Sequence, residues 1–205
     1  MSGFVYANPG DLNNFKGNAD GTYIVTISKI EISQDNSTWI ILGEGAQQFN
    51  IASLTVGTDF SNYVSNTSIT AGTYKYVRVT VSRTIQIKGS GTNGGNTYYT
   101  TAATVSIGGG SLGVASAAND NTNYATSTIV IPSSASSPDP DETLQVSGDN
   151  LIVTRTLDES FTVTSGGGSL RITFATQISI EFDPDDSPGN TIFWPIPPGM
   201  SFDFV

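Results

Sequence analysis

Between Leu170 and Phe182 the apolar residues Leu170, Ile172, Phe174, Ile178, Ile180 and Phe182 alternate with Arg171, Thr173, Gln177, Ser179 and Glu181. A period of two gives an extended strand one buried and one wet face, and it would scatter apolar groups around a helix. The stretch from Tyr74 to Lys88 repeats the pattern: Val77, Val79, Val81, Ile85 and Ile87 lie on one face and Arg78, Thr80, Ser82, Thr84 and Gln86 on the other, with Arg83 interrupting the apolar stripe. One strand of that length would span roughly 50 Å, so a bend or a change of sheet is expected near Ser82 and Arg83.

Tyr23, Val25 and Ile27 occupy one phase and Ile30 and Ile32 the other, so the inward face flips around Ser28 and Lys29, as a β-bulge would make it do. Shorter strands are expected at Trp39–Leu42, Gln47–Ile51, Tyr98–Ile107, Thr126–Ile131, Leu144–Ser147, Leu151–Thr154 and Phe161–Thr164. Turn residues separate them: Gln34-Asp35-Asn36-Ser37, Gly89 to Asn96, and Gly148-Asp149-Asn150, the last reading as a tight hairpin. TVSIGGGSLGV from Thr104 and TVTSGGGSLRI from Thr162 echo each other, either as a duplication or as one hairpin solution used twice. The polar loop 133–142, with two prolines, is the one linker-like segment. The pattern predicts an all-β chain with almost no helix: an antiparallel β-sandwich at 21–205 preceded by an extended arm at 1–20.

A hydrophobic share of 37% over 205 residues suffices for a real core. Eight Lys and Arg against eighteen Asp and Glu give a net charge of −10, which repels phosphate backbones and argues against nucleic acid as a partner. Without Cys or His the chain has no disulfide, no thiol chemistry, no His-dependent triad and few routes to zinc or copper. The shortage of charged residues and abundance of Ser, Thr, Asn and Gly fit an extracellular or cell-surface protein. No apolar run reaches the length of a membrane span, and Met1–Gly10 lacks a signal peptide's basic start and apolar centre, so export implies a leader already removed or another route.

YIVTISKIEISQDNSTWIIL from Tyr23 and ITAGTYKYVRVTVS from Ile69 together resemble a group of bacterial and archaeal envelope domains with a prealbumin-like or immunoglobulin-like sandwich. In that group a strand of pattern h-T-h-x-x-h-E-h leads to a short strand with a Trp, and a later G-T-Y-x-x-h-R-h enters a central strand. The resemblance covers about a third of the chain, implies a cell-surface sandwich and brings no catalytic residue. Gly72 can turn the chain so that Tyr74 acts as a tyrosine corner; the alternative is an ordinary cross-strand aromatic.

Two acidic loops bear proline: Asp139-Pro140-Asp141-Glu142 and Asp183-Pro184-Asp185-Asp186. In the second, Asp183, Asp185 and Asp186 are candidate calcium ligands, since calcium accepts six to eight oxygens in flexible geometry, although the spacing is not that of an EF-hand. No carboxylate pair is singled out for glycoside hydrolysis, and no enzyme or cofactor is expected. Lys29, near Glu31, is the best candidate for an isopeptide bond. Trp39, Tyr76, Tyr98 and Tyr99 are candidates for a sugar-stacking platform, with surface glycans as ligands. Asn36 and Asn66 lie in glycosylation sequons.

These residues point to a structural subunit of an extracellular filament, pilus or surface assembly. The alternatives are a cell-surface adhesin, a carbohydrate-binding module or a virion surface protein. Self-assembly into a homopolymer would use β-strand addition, with Phe4, Val5 and Tyr6 on the donor arm.

Overall fold

The computed structural model describes residues 14–53, 69–136, 140–164, 170–175, 179–187, 190–196 and 199–204. Its strands are β1 (Phe15–Ser33), β2 (Trp39–Asn50), β3 (Gly72–Ser82), β4 (Thr84–Asn93), β5 (Asn96–Ile107), β6 (Gly110–Ala115), β7 (Ser127–Val130), β8 (Glu142–Ser147), β9 (Asn150–Val163), β10 (Leu170–Ala175), β11 (Ile180–Ser187), β12 (Asn190–Pro195) and β13 (Gly199–Phe204). A 3-10 turn at Ile51–Ser53 is the one helical element among the described residues. The all-β expectation therefore agrees with the fold.

The sandwich does not. Strand pairing runs β1–β4–β7–β6–β12–β11 and returns to β1, closing a six-stranded antiparallel barrel. β5 pairs with both β4 and β6 beside it. The first part of β1 belongs to the barrel, where Phe15–Gly17 pair with β11 and Gly17–Ile24 with β4. Its second part leaves the barrel and forms the spine of an open wing ordered β2-β1-β3-β9-β8.

Period-two alternation gives every strand an inward face but carries no information on whether the sheet's last strand meets its first. Closure here depends on shape. Phe182 on β11 reaches past β1 to Gly91 on β4, and Ile180 reaches Gly89. Phe193 on β12 lies over Gly113 on β6. Glycine at these three crossings lets large side chains from other strands occupy the volume that local side chains would fill. The rings form a continuous row, stacked for Phe15–Phe182 and tilted for the other pairs, with centroid separations of 5.2 Å for Tyr98–Phe15, 5.1 Å for Phe15–Phe182 and 5.6 Å for Phe182–Phe193. Phe182 and Phe193 are fully buried, which contributes about 1.5–3 kcal/mol each.

The bulge expected at Ser28 and Lys29 is present as a register shift between Ile27 and Lys29 against both β2 and β3. The change of sheet expected near Arg83 is also present: β3 ends in the wing, β4 begins in the barrel, and Arg83 lies buried between them. Its guanidinium donates to the carbonyls of Gly109 at 2.6 Å, Ile131 at 2.7 Å and Gly148 at 3.3 Å. Arg83 breaks the apolar stripe because three chain segments bring carbonyls there that a hydrocarbon would leave unpaired.

Ser147 and Asn150 pair across Gly148-Asp149, with Gly148 at φ 58, as a two-residue hairpin requires. Val77, Val79 and Ile180 are buried and Val81 is half-buried, while the side chains of Ile172, Phe174 and Ile178 lie outside the described residues. The run from Leu170 to Phe182 is not one strand, because β10 pairs with β13 in a separate two-stranded ladder and β11 enters the barrel.

Candidate functional site

The segment 116–126 joins β6 to β7 without regular secondary structure, yet its backbone is held against β5. Ser116 N–H donates to Tyr99 O at 2.9 Å, Asn119 N–H to Thr97 O at 2.7 Å and Ala125 N–H to Thr100 O at 3.1 Å. Side chains add to this: Asn119 Oδ1 accepts from Thr97 N–H at 2.8 Å, and Thr100 Oγ1 donates to Ala125 O at 2.7 Å. Asn119 takes φ 60, a conformation Asn tolerates better than most residues. A long loop fixed in this way is preorganised, so a ligand that meets it loses little conformational entropy.

An open cleft of about 650 Å3 lies between this segment, Thr101–Ala103 of β5 and Val114–Ala115 of β6. Tyr124 forms part of its wall. That ring packs against Tyr99 at 5.1 Å and 59°, and the Lys88 ammonium lies 4.4 Å from its centroid. Its hydroxyl donates to Asp20 Oδ2 at 2.8 Å, tying the loop to β1. Desolvation, then the Asp20 hydrogen bond and charge, push the Tyr124 phenol above its ordinary range, so it stays protonated at neutral pH. At the loop's other end Thr122 hydrogen-bonds to Asp120 and holds its carboxyl below the usual range. Thr122 and Asn123 are exposed along the cleft.

A second constellation lies on the wing. Glu31 and Arg78 face each other across β1 and β3, with Nε to Oε2 at 2.7 Å and Nη2 to Oε1 at 2.8 Å. The guanidinium lies 4.0 Å from the Trp39 ring centroid. The Glu, the Trp and the Arg of the resemblance thus form one stacked bidentate pair, an arrangement that fastens three strands. Tyr74 combines both of its expected roles, donating to Thr70 O at 2.7 Å and stacking on Phe161 across the β3–β9 pair at 5.4 Å.

The expected sugar platform is dispersed. Tyr98 packs on Phe15 in the barrel, Trp39 lies beneath Arg78, Tyr76 belongs to β3, and of the four only Tyr99 touches Tyr124 at the cleft. Lys29 meets Glu44 at 3.6 Å on the surface, while Glu31 is taken by Arg78, which removes the basis for an isopeptide bond at Lys29. Asp183 is buried on β11 opposite Ile192; Asp185 and Asp186 lie on the same strand, with side chains outside the described residues. Phe4, Val5 and Tyr6 lie outside the described residues, whereas Phe15 to Asp20 of the expected arm form the start of β1. Asn36 is exposed at the β1–β2 turn, where Asp35 accepts from Ser37 and Thr38 N–H, and Asn66 lies outside the described residues.

Asp20, Lys88 and Tyr124 were not legible as a group, since they come from β1, β4 and a loop. One signal was present: Tyr124 is the lone aromatic in a polar run, SAANDNTNYAT, with no alternation to bury it. Among the described residues no helix is long and apolar enough to cross a membrane. A family model described as a domain of unknown function (DUF4382) matches residues 21–187. No curated protein and no solved structure matches the chain.

Proposed function

The chain belongs to the DUF4382 family, and we propose that it is a non-catalytic binding module of the cell exterior, which holds its ligand in the cleft beside Tyr124. The carrying observation is a loop without secondary structure that is nevertheless clamped to β5 and bounds an open cleft of about 650 Å3. That volume falls within the roughly 300–1,000 Å3 of small-ligand sites. A general base works best with a pKa near the operating pH, whereas burial and Asp20 move Tyr124 away from it. Thr101 Oγ1 already donates to Val114 O at 2.7 Å and accepts from Ala103 N–H at 3.1 Å, which supports a wall role over a nucleophilic one. The composition, poor in charged residues and rich in Ser, Thr, Asn and Gly, supports an extracellular setting.

The test is a mixed library of sugars, peptides and nucleotides, with binding followed by amide chemical shifts. Ligands should perturb residues 116–126 and Thr101–Ala103, and Tyr124→Ala should weaken the response by tenfold or more. Hits that leave this segment unperturbed would refute the reading.

A further inference from the structure

We infer that the ligand of this cleft is a neutral oligosaccharide, an inference that rests on the binding reading above. The wall alternates small apolar surface with short polar groups: Ala102, Ala103 and Ala117 are exposed beside Thr122 and Asn123, and Tyr124 offers a half-buried ring. A sugar ring carries the complementary alternation of C–H faces and hydroxyl edges at the same scale. Its C–H face packs on alanine methyls and an aromatic ring, while its hydroxyls take amide, hydroxyl and carboxylate partners.

Other ligand classes fit less well. A lipid or steroid needs a deep apolar pocket, and this cleft is open and lined by short side chains. An anionic ligand would meet Asp120 in the wall, and Lys88, the cation beside Tyr124, lies over its ring and not in the cleft wall. A peptide adding as a strand would find little of β5 to pair with: Asn96–Tyr99 pair with β4, Thr104–Ile107 pair with β6, Tyr99 and Thr100 hold the loop, and in the irregular stretch between them Ala103 N–H donates to Thr101 Oγ1. Asp120, kept ionised by Thr122, is a strong acceptor for a sugar hydroxyl. The clamped loop lets weak contacts add without ordering it first.

The experiment is calorimetry with neutral oligosaccharides built from hexose, pentose and N-acetylhexosamine units, a uronic-acid oligomer and a lysine-rich peptide, with amide shifts to locate each site. A neutral oligosaccharide should bind at 116–126, tighten with chain length, and outbind the uronic-acid oligomer at least tenfold. Tyr124→Ala and Asn123→Ala should each weaken it by tenfold or more; Asn123 is exposed, so its variant should keep the parent melting temperature. Binding of the uronic-acid oligomer or the peptide at 116–126, with no neutral oligosaccharide there, would overturn the ligand class and leave the cleft as the site. Oligosaccharide affinity unchanged in both variants, or shifts confined to other residues, would overturn the cleft itself. Absence of any response from the whole set would overturn both.

Discussion

Replacing Gly113 with Ala should open the barrel where β6 and β12 join. Two register pairs connect these strands, Ile192↔Val114 and Phe193↔Gly113, so the altered residue sits on half of the described seam. A Cβ at Gly113 would fall well inside contact distance of three atoms of the Phe193 ring. The ring has little room to retreat, because Phe193 is fully buried and packs on Phe182 at 5.6 Å. Overpacking a filled core costs about 1–3 kcal/mol, and displacement of a ring at the closure point places this variant at the upper end, about 3 kcal/mol. For a chain of 205 residues that corresponds to a fall of about 6–12 °C in melting temperature. Phe193→Leu alone should cost about 1–2 kcal/mol through the cavity it leaves. Combined with Gly113→Ala it should restore at least about 1 kcal/mol, since the smaller side chain makes way for the methyl. Urea denaturation of the four proteins completes the cycle. If Gly113→Ala changes stability by less than about 0.5 kcal/mol, or the two changes simply add, the aromatic does not close the barrel over that glycine.

Arg78→Met should cost about 2–3 kcal/mol, because it leaves the Glu31 carboxylate, 7% exposed, without its bidentate partner. Glu31→Leu with Arg78→Met should cost less than Arg78→Met alone, as measured by denaturant midpoints. Tyr74→Phe should cost about 1 kcal/mol through the lost hydrogen bond to Thr70, with the stack on Phe161 retained. Burial pushes the Tyr23 phenol far above its ordinary value, and its hydroxyl donates to Ile196 O at 2.8 Å. The raised folded-state pKa means that the unfolded chain ionises first. The stability from this group is therefore complete below about pH 10 and falls as pH rises beyond it, by about 1.4 kcal/mol per unit. Melting curves from pH 9 to 11.5 should show that decline, and Tyr23→Phe should make it shallower, with the part due to Tyr124 remaining; equal slopes would contradict the burial of Tyr23.

Local features were readable where a single strand or turn carried them. The phase flip at Ser28 and Lys29 became a bulge because the two faces of β1 are buried in opposite phases on either side of it. Arg83 marked the passage from wing to barrel because a charged residue in an apolar stripe must have somewhere to donate, and three carbonyls supply that place. The cleft was not readable in the same way. Asp20, Lys88, Tyr99 and Tyr124 are brought together by two long-range pairings, of β1 with β4 and of the 116–126 segment with β5. The aromatic platform expected from Trp39, Tyr76, Tyr98 and Tyr99 failed for the same reason. Tyrosines near one another in sequence point to different faces or enter different sheets, and composition alone does not sort them.

Closure itself left a trace that resembles something else. Ile85, Ile87, Gly89 and Gly91 are all buried and share one face of β4, so the apolar stripe does not end at Ile87 but shrinks to glycine. In a flat sheet glycine inside a strand costs stability, and a Gly-rich stretch reads as a turn. In a narrow barrel the same residues make room for large side chains arriving from across the interior, here Ile180 over Gly89 and Phe182 over Gly91. Gly17 on β1 and Gly113 on β6 serve Phe182 and Phe193 in the same way. In this chain glycines in phase with an isoleucine stripe, together with phenylalanines on other strands, distinguish a closed barrel from a sandwich. Neither set does so alone, because a turn accounts for the first and an ordinary core for the second.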